Sequence, residues 1–297
     1  MPSIVRLLQR QTMAIASFTL PDPRPGEDLS GRVAVVTGAA SGIGRALAQE
    51  LAEHGCLLAL GDMDMAGLQQ TAGMLPSDLD VVLSQVDVSD REVVHSWAQE
   101  VADHFGRIDL VVNNAGIAHS STVQGMDYAD FDRVMAVNLM GVVHGTKAFL
   151  PHLLESDRAH LVNVSSLFGV IGVPTQSAYC SAKFAVRGFT ESLSEEMIAT
   201  GSPVRVHVVM PGGVDTEIAA RSTFGDVVGF IDPDRAAATF SKMAATSPRE
   251  AAESIVDGVR HGRRRIPVGA DARVIDRMVR LIPEGYQHVV ARSLSTG

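Results

Sequence analysis

The chain has 297 residues, 46% of them hydrophobic, and carries 25 Lys and Arg against 34 Asp and Glu for a net charge of -9. A chain of this size buries roughly three quarters of its unfolded surface and suits one α/β domain, while its acidic field repels phosphate and excludes a general electrostatic affinity for nucleic acid. Cys56 and Cys180, with no CxxC spacing, argue against a secreted disulfide scaffold and a cysteine-built zinc site, and no apolar run approaches membrane-spanning length, so a cytoplasmic setting is expected.

Residues 1–30 form an N-terminal extension and linker: the first twenty hold Arg6 and Arg10 but no acid, and Pro21, Pro23 and Pro25 then break regular structure. A transit peptide is the competing reading. From Gly31 short apolar runs alternate with helical patterns, at Val33 to Val36, Leu57 to Leu60, Val81 to Val86, Ile108 to Val112, His160 to Val164, Val204 to Met210 and, more weakly, Ile266 to Val268. Runs rich in Val, Leu and Ile suit strands buried on both faces, and Ile43 to His54 and Val93 to His104 are long enough for crossover helices. The reading is an α/β fold of Rossmann type, a doubly wound parallel sheet of about seven strands in the order 3-2-1-4-5-6-7 with helices on both faces. The fold domain spans 31–269 and an amphipathic tail spans 270–297, with ligands expected at the carboxyl ends of the strands.

The first strand ends in Gly38, Ala39, Ala40, Ser41, Gly42, Ile43, Gly44, and a helix follows at once. Such glycines let backbone approach a pyrophosphate whose charge the helix N-terminus stabilises, although a glycine turn also serves packing alone. Asp62 ends the second strand where a carboxylate accepts hydrogen bonds from an adenosine ribose; the alternative is an N-cap for the helix near Met65. Tyr179 and Lys183 stand four apart and share a helix face, so that an ammonium beside the phenol lowers the pKa of the hydroxyl; a solvated surface pair is the plain alternative.

The glycine spacing, Asn113, Asn114, Ala115 and Gly116 after the fourth strand, and Tyr179 with Lys183 together resemble the classical short-chain dehydrogenase/reductase family, over roughly Gly31 to Ile218. The resemblance implies Tyr179 as catalytic acid/base with Lys183 as its partner, and Ser166 as the catalytic serine; Ser165 competes, and strand alternation allows only one of them to face the site. It implies for Asn138 a water linking Lys183 to solvent, against a helix-start cap. Cofactor contacts are implied at Gly38, Ser41, Gly42, Ile43, Gly44, Asp62, Asp87, Val88, Asn114, Ala115, Gly116, Tyr179, Lys183, Pro211, Gly212, Val214 and Thr216. Asp87 is equally a helix cap. Ser41, three after Gly38, departs from the Gly-x-x-Gly-x-x-Gly of the extended branch. The histidines include no pair three or four apart, so no helical metal site of that spacing is expected.

These residues imply an oxidoreductase that interconverts a secondary alcohol and a ketone with NAD(H), since Asp62 repels a 2′-phosphate and Arg45 is the nearby cation that could act against it. The alternative is a non-catalytic dinucleotide-binding or scaffold protein of the same fold. Leu167, Phe168, Val170, Ile171 and Val173, with Ile218, Phe224, Val227, Val228, Phe230 and Ile231, suggest an apolar substrate that is steroid-like, terpenoid, aromatic or acyl-chain, or else packing of the core or a subunit contact. Arg221 is the only cation between residues 217 and 234. The resemblance implies a homodimer or homotetramer. From Asp271 to Ile282 apolar positions gather on one face with Arg273, Arg277 and Arg280 on the other, and Pro283 closes the segment. Docking on the domain or a neighbouring subunit is expected, against lying on an anionic membrane.

Overall fold

The computed structural model describes residues 26–216, 218, 222–227 and 246–295. The expected arm and its arginines, up to residue 25, lie outside the described residues, as do Arg221, Val228, Phe230 and Ile231. In chain order the elements opening the fold are β1 (Val33–Thr37), α1 (Gly42–Glu53), β2 (Leu57–Asp62), α2 (Met65–Ala72), β3 (Val81–Gln85), α3 (Arg91–Phe105) and β4 (Leu110–Asn113). The middle holds β5 (His119–Ser120), α4 (Tyr128–Met135), a π-helical turn (Ala136–Met140), α5 (Gly141–Glu155), β6 (Ala159–Val164), a 3-10 turn (Leu167–Gly169), α6 (Ser177–Thr200) and β7 (Val204–Pro211). Then come β8 (Thr223–Phe224), α7 (Pro248–Arg260), β9 (Arg265–Val268), α8 (Ala270–Leu281) and α9 (Gly285–Ser295).

Seven strands form one parallel sheet in the order β3-β2-β1-β4-β6-β7-β9. Counted within the sheet alone, this is the expected 3-2-1-4-5-6-7. β5 and β8, two residues each, pair separately and are too short for any sequence period to signal. The chain leaves β3 and returns beside β1 as β4, so the switch point lies between β1 and β4, and a crevice opens there at the carboxyl ends.

The apolar strands are covered on both faces, as their composition requires. Leu47 and Leu51 of α1 pack with Ile255 and Val259 of α7 over one face, and Trp97 of α3, Phe149 and Leu153 of α5 and Leu193 of α6 pack over the other. Val33, Val35 and Val36 are fully buried, each such side chain supplying about 1.5–3 kcal/mol. Trp97 meets the Phe149 ring edge-on at 5.3 Å. In the tail α8 runs to Leu281, and after Pro283 the chain turns and continues as α9. Ile275, Met278 and Val279 of α8, with Tyr286 and Val290 of α9, pack on Leu167, Ile171, Val208 and Met210, so the tail docks on its own domain.

Candidate functional site

The turn after β1 is shaped by backbone alone. Gly38 and Gly42 hold φ of 70° and 54°, the left-handed region where a side chain is strained. A Cβ at Gly44 would lie 2.0 Å from the Gly38 carbonyl oxygen, so only glycine lets α1 approach the turn this closely. Ser41 is extended and makes no capping hydrogen bond, which directs the uncapped, positive end of α1 into the turn. Ile43 packs beneath it. That cradle suits a pyrophosphate.

Asn114 ties this turn to the one after β4: its Nδ2 donates to the Thr37 carbonyl at 2.9 Å and the Gly38 carbonyl at 3.3 Å. Thr37 Oγ1 accepts from the backbone N–H of Asn114 (2.9 Å) and Ala115 (3.1 Å). Sequence reasoning missed Thr37, whose only signal is a hydroxyl at the last strand position. Gly116 follows beside Asn138 and Lys183.

Asp62 faces the glycine turn. Its Oδ2 accepts from Ala40 N and its Oδ1 from Asp64 N, each at 3.0 Å. The N-cap of α2 is Asp64, which accepts from Gly67 N at 2.9 Å, so the capping alternative for Asp62 falls. Arg45 is tied to the Ala40 carbonyl and to Thr71 Oγ1. Asp87 closes a turn with Ser89 N (2.9 Å) and Ser89 Oγ (2.7 Å), while Asp90 caps α3. Val88 is buried against Gly141. At the end of β7, Pro211 pairs with Val268, Val214 bridges to Thr246, and Thr216 lies against Gly42. Gly212 packs against Asp271 of α8, and Gly213 N donates to Asp271 Oδ2 at 2.8 Å, an anchor no local pattern announces.

Ser166, Tyr179, Lys183 and Asn138 converge beside this turn. Ser165 points away, buried and donating to the Lys183 carbonyl at 2.7 Å. Ser166 Oγ accepts from Phe168 N at 3.1 Å and lies beside the Tyr179 phenol. Lys183, 3% exposed, donates from Nζ to the Val164 carbonyl at 2.9 Å and lies 5.6 Å from the Tyr179 ring centre. Asn138 sits in the π-turn, where its Oδ1 accepts from Ile117 N and its Nδ2 donates to the Ile117 carbonyl, both at 2.8 Å. It is therefore no helix-start cap, and single π-turns often mark working sites.

Burial dominates the electrostatics. It pushes the Tyr179 phenol up to about 12, against the opposing influence of the Ser166 hydroxyl beside it. It pushes the Lys183 ammonium down to about 8. The expected downward pull on the phenol by Lys183 thus does not prevail in the free chain, because the ammonium is itself desolvated and spends its contact on Val164.

The segment joining Ser166 to Tyr179 is held from several sides. Phe168 packs edge-on to the Tyr179 ring with centres 6.0 Å apart. Thr175 has φ of 65°, the one positive value at a non-glycine among the described residues, and its carbonyl accepts from Ser121 N at 2.9 Å. Gln176 donates to Ser120 Oγ, and β5 pairs with β8, joining the segments that follow β4 and β7. Of the apolar residues expected after Thr216, Val227 is buried, Ile218 half-buried and Phe224 exposed.

The family described as short chain dehydrogenase matches residues 32–225. A relative named as oxidoreductase SadH, from Mycobacterium tuberculosis, is 45% identical over 267 residues, 89% of this chain and 96% of its own length. A short chain dehydrogenase/reductase from Burkholderia phymatum, solved in complex with NAD, has a TM-score of 0.79 at 27% identity, covering 86% of this chain and 95% of that one. The alcohol dehydrogenase of the archaeon Thermococcus sibiricus, complexed with 5-hydroxy-NADP, has a TM-score of 0.66 at 28% identity, with 80% and 95% covered.

Proposed function

The chain belongs to the short chain dehydrogenase family and is an oxidoreductase, and from that premise we propose that it interconverts a secondary alcohol and a ketone with NAD(H), on an apolar substrate. The observation that carries this reading is the convergence of Ser166, Tyr179 and the buried Lys183, whose Nζ lies 5.6 Å from the Tyr179 ring centre, at the strand ends and next to the glycine turn.

A nicotinamide dinucleotide fits the residues present. Gly38, Ser41, Gly42, Ile43 and Gly44 would hold the pyrophosphate, Asp62 the adenosine ribose, Asp87 and Val88 the adenine. Asn114, Ala115 and Gly116 would line the middle of the cleft, and Pro211, Gly212, Val214 and Thr216 the carboxamide side. Tyr179 and Lys183 would face the nicotinamide ribose. Asp62 supports NAD over NADP by repelling a 2′-phosphate, and Arg45 is already committed to Ala40 and Thr71. When bound, the cofactor accepts or supplies the hydride.

In the oxidative direction Tyr179 removes the hydroxyl proton and Ser166 holds the substrate oxygen; in the reductive direction Tyr179 returns that proton. The ionised phenol costs most through burial, so Lys183, cationic at neutral pH, and the Ser166 hydroxyl act on the barrier by stabilising phenolate. Asn138 fixes Ile117, the residue after the Gly116 that lies beside Lys183, and keeps an amide N–H for a water on the proton path. Met140, Leu154, Phe184 and Ile198 are exposed apolar residues on and beside α5 and α6, and they support a homodimer or homotetramer built on those helices, which light scattering tests. A panel of ring and chain secondary alcohols with NAD, followed by the absorbance of the reduced cofactor, tests the reaction; a panel silent with the parent overturns it.

A further inference from the structure

The family match ends at residue 225, yet the loop that follows β7 is braced by a side chain far beyond it. α8 opens with Asp271 in its first turn, where an acid would complement the helix dipole. The carboxylate reaches out of the helix to the loop, and its Oδ2 accepts from Gly213 N at 2.8 Å. Two glycines make room for it. A Cβ at Gly212 would collide with both carboxylate oxygens, and one at Gly269, whose φ is 92°, would meet Oδ1 at 2.5 Å.

A second brace comes from Thr246. Its N–H donates to the Gly213 carbonyl at 3.2 Å and its carbonyl accepts from Asp215 N at 3.0 Å, while Gly212 N donates to the Val268 carbonyl at 3.0 Å. These bonds occupy the backbone groups on one side of the loop. Val214, the residue bridged to Thr246, therefore turns its own N–H to the opposite side, where it has no hydrogen-bond partner among the described residues. Thr216, two residues on, lies against Gly42 of the glycine turn, so the loop borders the cofactor cleft. An open backbone N–H is the donor that a carboxamide oxygen needs.

We propose that Asp271 is a positioning residue for the nicotinamide end of the cofactor: by holding Gly213 it sets the loop so that Val214 N–H meets the carboxamide, which makes the C-terminal tail part of cofactor binding. The proposal rests on the NAD(H) reading above. Asp271 touches no reacting atom. It acts by ordering the loop before the cofactor arrives, which lowers the cost of binding, and the adjacent Gly212 and Gly213 are the residues whose backbone freedom most needs such a restraint.

Calorimetric titration of the full chain with NADH and with ADP-ribose, which lacks the nicotinamide, separates the two ends of the cleft. Asp271→Ala should weaken NADH about tenfold and change ADP-ribose by less than about twofold. Asp271→Asn keeps an oxygen to accept from Gly213 N and should return NADH to within about threefold of the parent. Asp276→Ala frees α8 from Arg265, whose Nη2 donates to Asp276 Oδ1 at 2.8 Å, and should lower the melting temperature with both affinities unchanged. Where Asp271→Ala does not fold, Asp271→Glu, which drives the carboxylate one methylene further between the two glycines, should show the same selective loss of NADH. Equal losses of both probes, an unchanged NADH affinity, or a selective loss in Asp276→Ala overturns the role of Asp271. A parent that binds neither probe overturns the NAD(H) reading itself.

Discussion

The two halves of the cleft are built by different means. On the β1–α1–β2 side the site is backbone: positive-φ glycines, a carbonyl in contact with Gly44, an uncapped helix end and one carboxylate from the adjacent strand. On the substrate side it is side chains brought from the turn after β4, the π-turn, the Ser166–Tyr179 segment and the tail helices. The first half tolerates no added atom at its close approaches. The second depends on packing among distant segments, and so has freedom to vary what it accepts.

The largest effect that would break this division is at Tyr179. Tyr179→Phe keeps the ring that Phe168 packs against but deletes the proton carrier, so turnover should fall about 10³-fold while NAD affinity, measured by titration, stays close to the parent's. A variant that keeps most of its rate removes the acid/base assignment.

Next comes Lys183, whose burial should be visible in stability. The unfolded lysine keeps its proton up to about 10.5, whereas in the fold burial lowers the value to about 8. Between those pH values the unfolded state holds more protons, so stability should rise with pH across that window, by on the order of 3 kcal/mol. Tyr179 acts with opposite sign at higher pH, because its folded value is raised to about 12. Urea midpoints through the Lys183 window should lose the rise in Lys183→Met; a parallel profile would mean that the ammonium is not desolvated.

A paired glycine substitution sharpens the contrast directly. Gly44→Ala places a methyl 2.0 Å from the Gly38 carbonyl oxygen, and should cost about 3 kcal/mol along with most of the NAD affinity. Gly172→Ala, on the substrate side, meets no atom within 4 Å and should leave both nearly untouched. Equal losses would erase the distinction between the halves. The smallest effect concerns Asp62→Asn, which should lower the NAD over NADP preference about tenfold, read from efficiencies with the two cofactors; an unchanged ratio would place discrimination elsewhere.

Much of the cofactor half is legible in the amino-acid sequence, since each feature is local. Apolar runs become buried strands, glycines become the turn that only they can form, and Tyr179 and Lys183 share a helix face by their spacing of four. Even there, Asp64 and Asp90 rather than Asp62 and Asp87 cap the helices, a choice of one carboxylate over its near neighbour that hangs on where each strand ends. The substrate half is legible only as an apolar composition.

The amino-acid sequence by itself determined the sheet, its strand order and the glycine turn, because strand and helix periodicity and glycine conformation act over a few residues, while the roles proposed for Ser166, Tyr179 and Lys183 came from the family resemblance that their spacing carries. Tertiary structure alone decided that Ser166 rather than Ser165 meets Tyr179, that Asn138 grips Ile117 from a π-turn, and that Asp271 holds Gly213. It also placed Tyr286 on the chain between Ser166 and Tyr179, and set burial above the neighbouring ammonium in the balance acting on the phenol. Each of these depends on which surfaces meet once the chain has closed on itself, and contacts across tens of residues leave no periodic trace in the residues that make them.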